Sequence, residues 1–238
     1  MAQPAATLLP SLLDRSLVAR WTEAVERHYA APGLRGSADF NVQSSSIRVS
    51  AVESVDVPGL LSTLFIGTLA SLCKAELGES VACAVDASWV RRQYPIASYP
   101  PGHAAHCWHQ DGALGFDFLA HAGDPFPDDA LLPMVTCWIA LSPCGDVAPG
   151  LELAGPPRRA LLAVADLSED RIAAMHSSAE FHRPVLAPGD ALVFPGGLLH
   201  RTHVTPAMRR ERTSIDLRFV APARARRRLP GQRLLALH

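Results

Sequence analysis

Two segments far apart in the chain constrain it more than anything else. Trp108-His109-Gln110-Asp111-Gly112 carries a histidine and an aspartate at i and i+2, and Leu198-Leu199-His200-Arg201 brings another histidine 89 positions after Asp111. On an extended strand residues i and i+2 share a side, so one ion can take both His109 and Asp111. The stretch before His200, Ala187-Pro188-Gly189-Asp190-Ala191-Leu192-Val193-Phe194-Pro195-Gly196-Gly197, reads as a strand bounded by Gly/Pro turns. Two imidazoles and one carboxylate form the facial set that holds a non-heme ferrous ion and leaves three positions open. The chain has ten histidines, so the pair at 109 and 111 is weak evidence on its own.

A second motif adds weight. Twelve residues beyond His200, Arg212-Thr213-Ser214 opens what reads as the strand Thr213–Phe219, with Arg212 and Ser214 on one side. A planar guanidinium makes a two-pronged bond to a carboxylate, and a neighbouring hydroxyl adds another donor. Iron with three free positions and a carboxylate seat a short distance away suit a keto acid that chelates the metal at one end and is anchored at the other. The keto acid of that length and charge is 2-oxoglutarate, with O2 taking the remaining position.

The order His-x-Asp, the strand Val135–Leu141, Pro149-Gly150-Leu151-Glu152-Leu153, Pro188-Gly189-Asp190, His200 and Arg212-x-Ser214 resembles the phytanoyl-CoA dioxygenase family of iron(II)/2-oxoglutarate oxygenases. The resemblance runs from about Trp89 to Phe219 and is weak before that. It implies that His109, Asp111 and His200 ligate iron, that Arg212 binds the distal carboxylate of 2-oxoglutarate with Ser214 assisting, and that Thr202 lies near the cosubstrate. It implies no catalytic residue beyond the metal centre, and hydroxylation with release of succinate and CO2, ascorbate serving as reductant in assays. Related halogenases carry Ala or Gly at the carboxylate position, so Asp111 speaks against halogenation. Where the family often has a Pro-Gly-Ser-His turn, this chain reads Leu153-Ala154-Gly155-Pro156-Pro157-Arg158-Arg159, a departure in a substrate-side loop.

Size and composition agree with a mainly β fold of one domain over residues 1–238. At 48% hydrophobic, the chain can bury a sizeable core. A net charge of −1 offers no global field for nucleic acid. No apolar run reaches the roughly 18 to 20 residues of a membrane span. The N-terminal segment lacks the pattern of a secretory signal, which leaves the cytoplasm as the expected compartment. Five cysteines, at 73, 83, 107, 137 and 144, are odd in number and irregularly spaced, so they are expected to be reduced, buried and inert.

Apolar positions Leu13, Leu17, Trp21, Val25 and Tyr29 predict a helix over 11–30, capped at Ser11 and ended by Pro32-Gly33. A second helical region spans Val57 to Leu77, ended by Gly78, and Val81 to Val90 is β-like. Beyond this come short strands with one helix at Ser168 to Ser177. The expected architecture is a double-stranded β-helix, the jelly-roll of cupin-like proteins. A helical N-terminal part covers about 1–80, the jelly-roll core about 81–220, and a short, solvated basic tail contains Arg224-Ala225-Arg226-Arg227-Arg228.

Trp108 and Trp138 read as packing residues, His203 as facing away from His200, and Asp190 as bonding the backbone of its own turn. Asp216 and Arg218 share the face of Arg212, where they either pair with each other or reach the substrate. Two rival functions remain. A cupin-like metalloenzyme without 2-oxoglutarate explains the ligands but leaves Arg212-x-Ser214 unused, and a non-catalytic jelly-roll binding protein predicts a broken ligand set, which the sequence does not show.

Overall fold

The computed structural model describes residues 6–30, 44–53, 55–121 and 126–238. The expected helix stop at Pro32-Gly33 lies outside them. In chain order the elements are β1 (Thr7–Leu9), α1 (Arg15–Ala30), β2 (Ser44–Arg48), α2 (Val57–Leu64), α3 (Gly67–Leu77), β3 (Val81–Ala84), β4 (Trp89–Gln93), β5 (His109–Gln110), β6 (Met134–Ala140) and β7 (Gly150–Ala154). They continue with α4 (Glu169–Met175), β8 (Phe181–His182), β9 (Ala191–Pro195), β10 (Leu199–His203), β11 (Arg212–Val220), α5 (Pro222–Arg228) and β12 (Leu234–Leu237). The strands form two antiparallel sheets, a jelly-roll. The larger follows the order β1-β9-β6-β11-β3-β12, with β4 also on β11 and β2 on β4; the smaller is β5-β10-β7-β8.

Strand alternation divides the molecule into layers. On β6, Val135, Cys137 and Ile139 join the cluster that α1, α2 and α3 cover, whereas Trp138 and Ala140 join the cluster between the two sheets. On β11, Ile215, Leu217 and Phe219 face the helices, and the intervening Arg212, Ser214, Asp216 and Arg218 are buried on the opposite side. Each fully buried Ile, Leu or Phe contributes roughly 1.5–3 kcal/mol relative to exposure. The apolar half of this alternation anchors the sheet to the helices, and the polar half is free to build a site.

The structure corrects several expectations. Helix α1 starts at Arg15, where Asp14 Oδ1 accepts from Leu17 N; Ser11 is no cap and sits at φ 49° with its N–H donating to Asp190. The region from Val57 to Leu77 is two helices bent by 89°. Asp56 caps the first by accepting from Gly59 N, and Gly78, at φ +87°, ends the second. Among the described residues no single helix is long and apolar enough to cross a membrane. The N-terminal part is not purely helical, since β1 pairs with β9 and β2 with β4.

Arg224, Arg226 and Arg227 are exposed, as expected of a solvated run, but the C-terminal segment that carries them is a packed helix and not a loose tail. Its α5 buries Ala225, Arg228 donates to the Asp129 and Ala130 carbonyls, and β12 then pairs with β3. Apolar residues beside the arginines, Ala225 and Leu229, give the segment a face to bury. All five cysteines are free, but Cys107 is exposed where burial was expected, because it precedes β5 at the rim of the smaller sheet.

Candidate metal centre

Strands β5 and β10 are antiparallel neighbours with His109 directly opposite His200, which puts their ring centroids 4.1 Å apart. Each ring is oriented through Nδ1, His109 toward the Cys107 carbonyl (2.8 Å) and His200 toward the Leu198 carbonyl (3.0 Å). With Nδ1 donating, the Nε2 lone pair of each faces inward and is available to a metal. Phe194 meets His200 edge to face at 4.8 Å.

Asp111 is not on the strand. Strand β5 ends at Gln110, and Asp111–Ala113 form a 3-10 turn. Gly112 permits this turn, since a Cβ there would lie 2.5 Å from the Leu131 side chain and 2.9 Å from the Leu132 carbonyl oxygen. Gln110 holds the strand from the other side, bonding Ala160 O, Gly197 O and Leu162 N. The Asp111 carboxylate still faces both imidazoles, with Oδ1 3.9 Å from His109 Nε2 and Oδ2 3.8 Å from His200 Nε2. One ligand atom from each of His109, Asp111 and His200 lies within 4.8 Å of the others.

Two residues that sequence reasoning did not assign hold this carboxylate. Thr136 Oγ1 donates to Oδ2 at 2.6 Å, and Arg218 Nη2 lies 3.0 Å from Oδ1. Burial works to raise the Asp111 pKa, but the Arg218 charge, both imidazoles and the Thr136 bond overcome it and hold the group well below the usual carboxylate range. The group is therefore an anion before any cation arrives.

Burial, with the facing His200 and His106 rings, pushes His109 well below its ordinary value. Unfolded His109 takes up a proton near pH 6.5 and the folded form resists it, so the unfolded state binds more protons and stability falls as pH drops below about 6.5. Thermal denaturation of metal-free protein from about pH 7.5 to 5.5 should show this fall, and His109→Gln should make it shallower. Equal slopes for the two proteins would contradict the burial of this imidazole.

A small cavity beside the triad, open to solvent, is lined by Arg91, Gln93, His106, Trp138, Leu151, Thr202, Arg212, Asp216 and Arg218, among others. Arg212 is 2% exposed. Its Nη1 donates to Ser214 Oγ at 2.5 Å, its guanidinium lies 4.9 Å from the centroid of the Trp138 ring, and its Nε is buried with no hydrogen-bond partner. Burial opposes its charge, and Asp216 supports it. A buried guanidinium with an unsatisfied donor suits a carboxylate ligand. Thr202 is also buried and lines this cavity, as its spacing from His200 on β10 predicts. Trp138 packs between the sheets, as expected, and lines the site as well. Trp108 packs against Phe181 and beneath Arg201, and His203 does not line the cavity. Asp190 accepts from Ala187 N, within its turn as expected, and also from Ser11 N.

A jelly-roll with two imidazoles and a carboxylate facing one another, and a buried arginine in the same cavity, belongs to the class of iron(II)- and 2-oxoglutarate-dependent oxygenases. The chain belongs to the phytanoyl-CoA dioxygenase (PhyH) family, whose model matches residues 6–211. That match begins well before Trp89, where the sequence resemblance became legible, and ends one residue before Arg212.

Similar solved structures include EctD from S. alaskensis with 2-oxoglutarate and 5-hydroxyectoine. It is 16% identical with a TM-score of 0.63, over 92% of this chain and 73% of that one. AviO1 from Streptomyces viridochromogenes Tue57 is 18% identical with a TM-score of 0.61, over 92% and 91%. The alpha-ketoglutarate-dependent carbocyclase SnoK from nogalamycin biosynthesis is 13% identical with a TM-score of 0.61, over 98% and 92%. No curated protein matches the chain.

Proposed function

We propose that the protein hydroxylates a free small molecule, an amino acid derivative or biosynthetic intermediate, with His109, Asp111 and His200 as the iron ligands and Arg212, Ser214 and Thr202 as the 2-oxoglutarate seat. The observation that carries this reading is the pairing of the triad with a buried Arg212 whose Nε has no partner, in one cavity. A cupin-like enzyme without a keto acid, or a binding protein without chemistry, leaves that cation without a purpose.

When bound, ferrous ion with 2-oxoglutarate and O2 supplies the oxidation that yields succinate and CO2 and places one oxygen on the substrate. The protein's part is to orient and enclose. The Cys107 and Leu198 carbonyls set the two imidazoles, Thr136 and Arg218 set the carboxylate, and Trp138 gives the Arg212 guanidinium a flat wall.

Coenzyme A thioesters fit less well than a free substrate, because Lys74 is the only lysine and no Gly-rich phosphate loop occurs. EctD is described with 5-hydroxyectoine bound, a small molecule, and that supports the size class. The cytoplasm is the compartment we assign, in keeping with five free thiols. The test is incubation with iron, ascorbate and 2-oxoglutarate across a panel of candidate substrates. Succinate formation together with a product heavier by one oxygen is expected; succinate absent under every condition, with no 2-oxoglutarate bound, would overturn the assignment.

A further inference from the structure

Arg218, which the sequence leaves either to pair with Asp216 or to reach the substrate, makes a different contact in the structure. It is 6% exposed and stands six positions after Arg212 on the same interior face of β11. Its natural partner by proximity, Asp216, is already taken, since Arg91 Nε lies 2.8 Å from Asp216 Oδ2. Arg218 instead reaches the turn that follows β5 and meets Asp111 Oδ1 at 3.0 Å.

The contact is braced from behind. Arg218 Nε donates to the Ala87 carbonyl at 3.1 Å and its backbone N–H to Ser88 Oγ at 3.0 Å, while Ser88 Oγ donates to the Ala84 carbonyl at 2.9 Å. A side chain held at its neck and root has one direction left, toward Asp111. Nη1 is buried with no hydrogen-bond partner, so Asp111 is the one carboxylate that pairs with this guanidinium among the described residues.

A buried ion pair is weak evidence for stability, because desolvation of both charges offsets their attraction. Its cost is better explained by what it does to Asp111. Each carboxylate oxygen has one outer donor, Arg218 on Oδ1 and Thr136 on Oδ2, and each faces one imidazole nitrogen at 3.8–3.9 Å. The plane of the carboxylate is thereby set, with a lone pair directed to the imidazole side. Arg218 adds what Thr136 cannot, a full positive charge on the ligand. A ferrous ion, one carboxylate and the metal-chelating carboxylate of a keto acid whose distal end is paired with Arg212 leave Asp111 as the negative charge that Arg218 faces directly.

We propose that Arg218 is a positioning residue for the metal centre: it orients Asp111 and, by withdrawing charge from it, favours the ferrous over the ferric ion and the binding of a dianionic keto acid. The inference rests on the metal reading given above, and it assigns a function to a residue outside the proposed ligand set and keto-acid seat.

Three variants separate charge from geometry. Arg218→Lys keeps the charge and loses the Nε bond to the Ala87 carbonyl, Arg218→Gln keeps a hydrogen-bond donor and loses the charge, and Arg218→Met keeps the stem alone should the Gln variant fail to fold. The readouts are the ferric/ferrous equilibrium of the iron-loaded protein and the metal-to-ligand charge-transfer band at saturating 2-oxoglutarate under anaerobic conditions. Loss of the charge should raise the ratio of ferric to ferrous affinity by roughly tenfold or more and move the band to longer wavelength, because a less compensated carboxylate donates more strongly. Arg218→Lys should stay within about threefold of wild type and largely restore the band position. A role in packing alone would move neither spectrum nor ratio. If wild type binds iron and shows the band while Arg218→Gln or Arg218→Met leaves both readouts unchanged, this inference fails and the assignment of the site stands. If wild type takes up no ferrous iron, both fall together.

Discussion

Alanine at His109, Asp111 or His200, one position at a time, is expected to lower ferrous affinity by at least about a hundredfold, since each change leaves two protein ligands where a facial set needs three. The three variants should differ in stability. His109 lies at the cavity mouth, so His109→Ala should fold normally. Asp111→Ala also strands the Arg218 guanidinium, which is 8% exposed as a side chain and has no second carboxylate among the described residues. Removing one member of a buried pair costs about 3–5 kcal/mol, so this variant alone should also unfold at clearly lower temperature. Asp111→Asn should recover much of the stability, because an amide oxygen still accepts from Arg218, but not the iron. Anaerobic ferrous titration and thermal denaturation of the same preparations check both parts. Unchanged iron affinity in all three alanine variants would remove the metal assignment.

Arg212→Ala is expected to keep iron and lose the keto acid. A charge-assisted two-pronged bond contributes on the order of 2 to 4 kcal/mol, so the 2-oxoglutarate dissociation constant should rise by about one to three orders of magnitude. Arg212→Lys should restore part of this, because an ammonium on the same strand position supplies charge without the fork and without the flat face that lies against Trp138. Titration of 2-oxoglutarate into anaerobic iron-loaded protein, followed by the charge-transfer band, gives the constant. An Arg212→Ala variant that binds as tightly as wild type would move the reading to a metalloenzyme without a keto acid. The two arginines of β11 should be separable in this assay: Arg212→Ala is expected to act mainly on how tightly the cosubstrate binds, and loss of the Arg218 charge to shift the band as well.

What could be read from the chain alone were features that depend on short spacings. The i, i+2 parity of Arg212 and Ser214, and of Ile215, Leu217 and Phe219 opposite them, follows from the pleat of one strand, and all these residues lie on the faces that parity predicts. The same rule misjudged Asp111, which reaches the imidazoles from a turn that Gly112 makes room for, not from the strand. Helix starts and the basic segment at 224–228 were misread for a related reason: Asp14 was a better cap than Ser11, and Leu229 and Ala225 give the arginine run an apolar face that a charge count does not register.

Which distant residues meet was decided by tertiary structure. Nothing local says that Arg218 passes over its neighbour Asp216 to reach a carboxylate 107 positions earlier in the chain, or that Thr136 completes that carboxylate's shell. Those contacts exist because β11 and β6 are neighbours in one sheet, with Arg218 directly opposite Thr136, while β5 and β10 carry His109 and His200 in the other. Parity within a strand is a property of covalent geometry and is legible in sequence. Pairing across the cavity depends on how the sheets stack, and burial then obliges each charge to find its partner there.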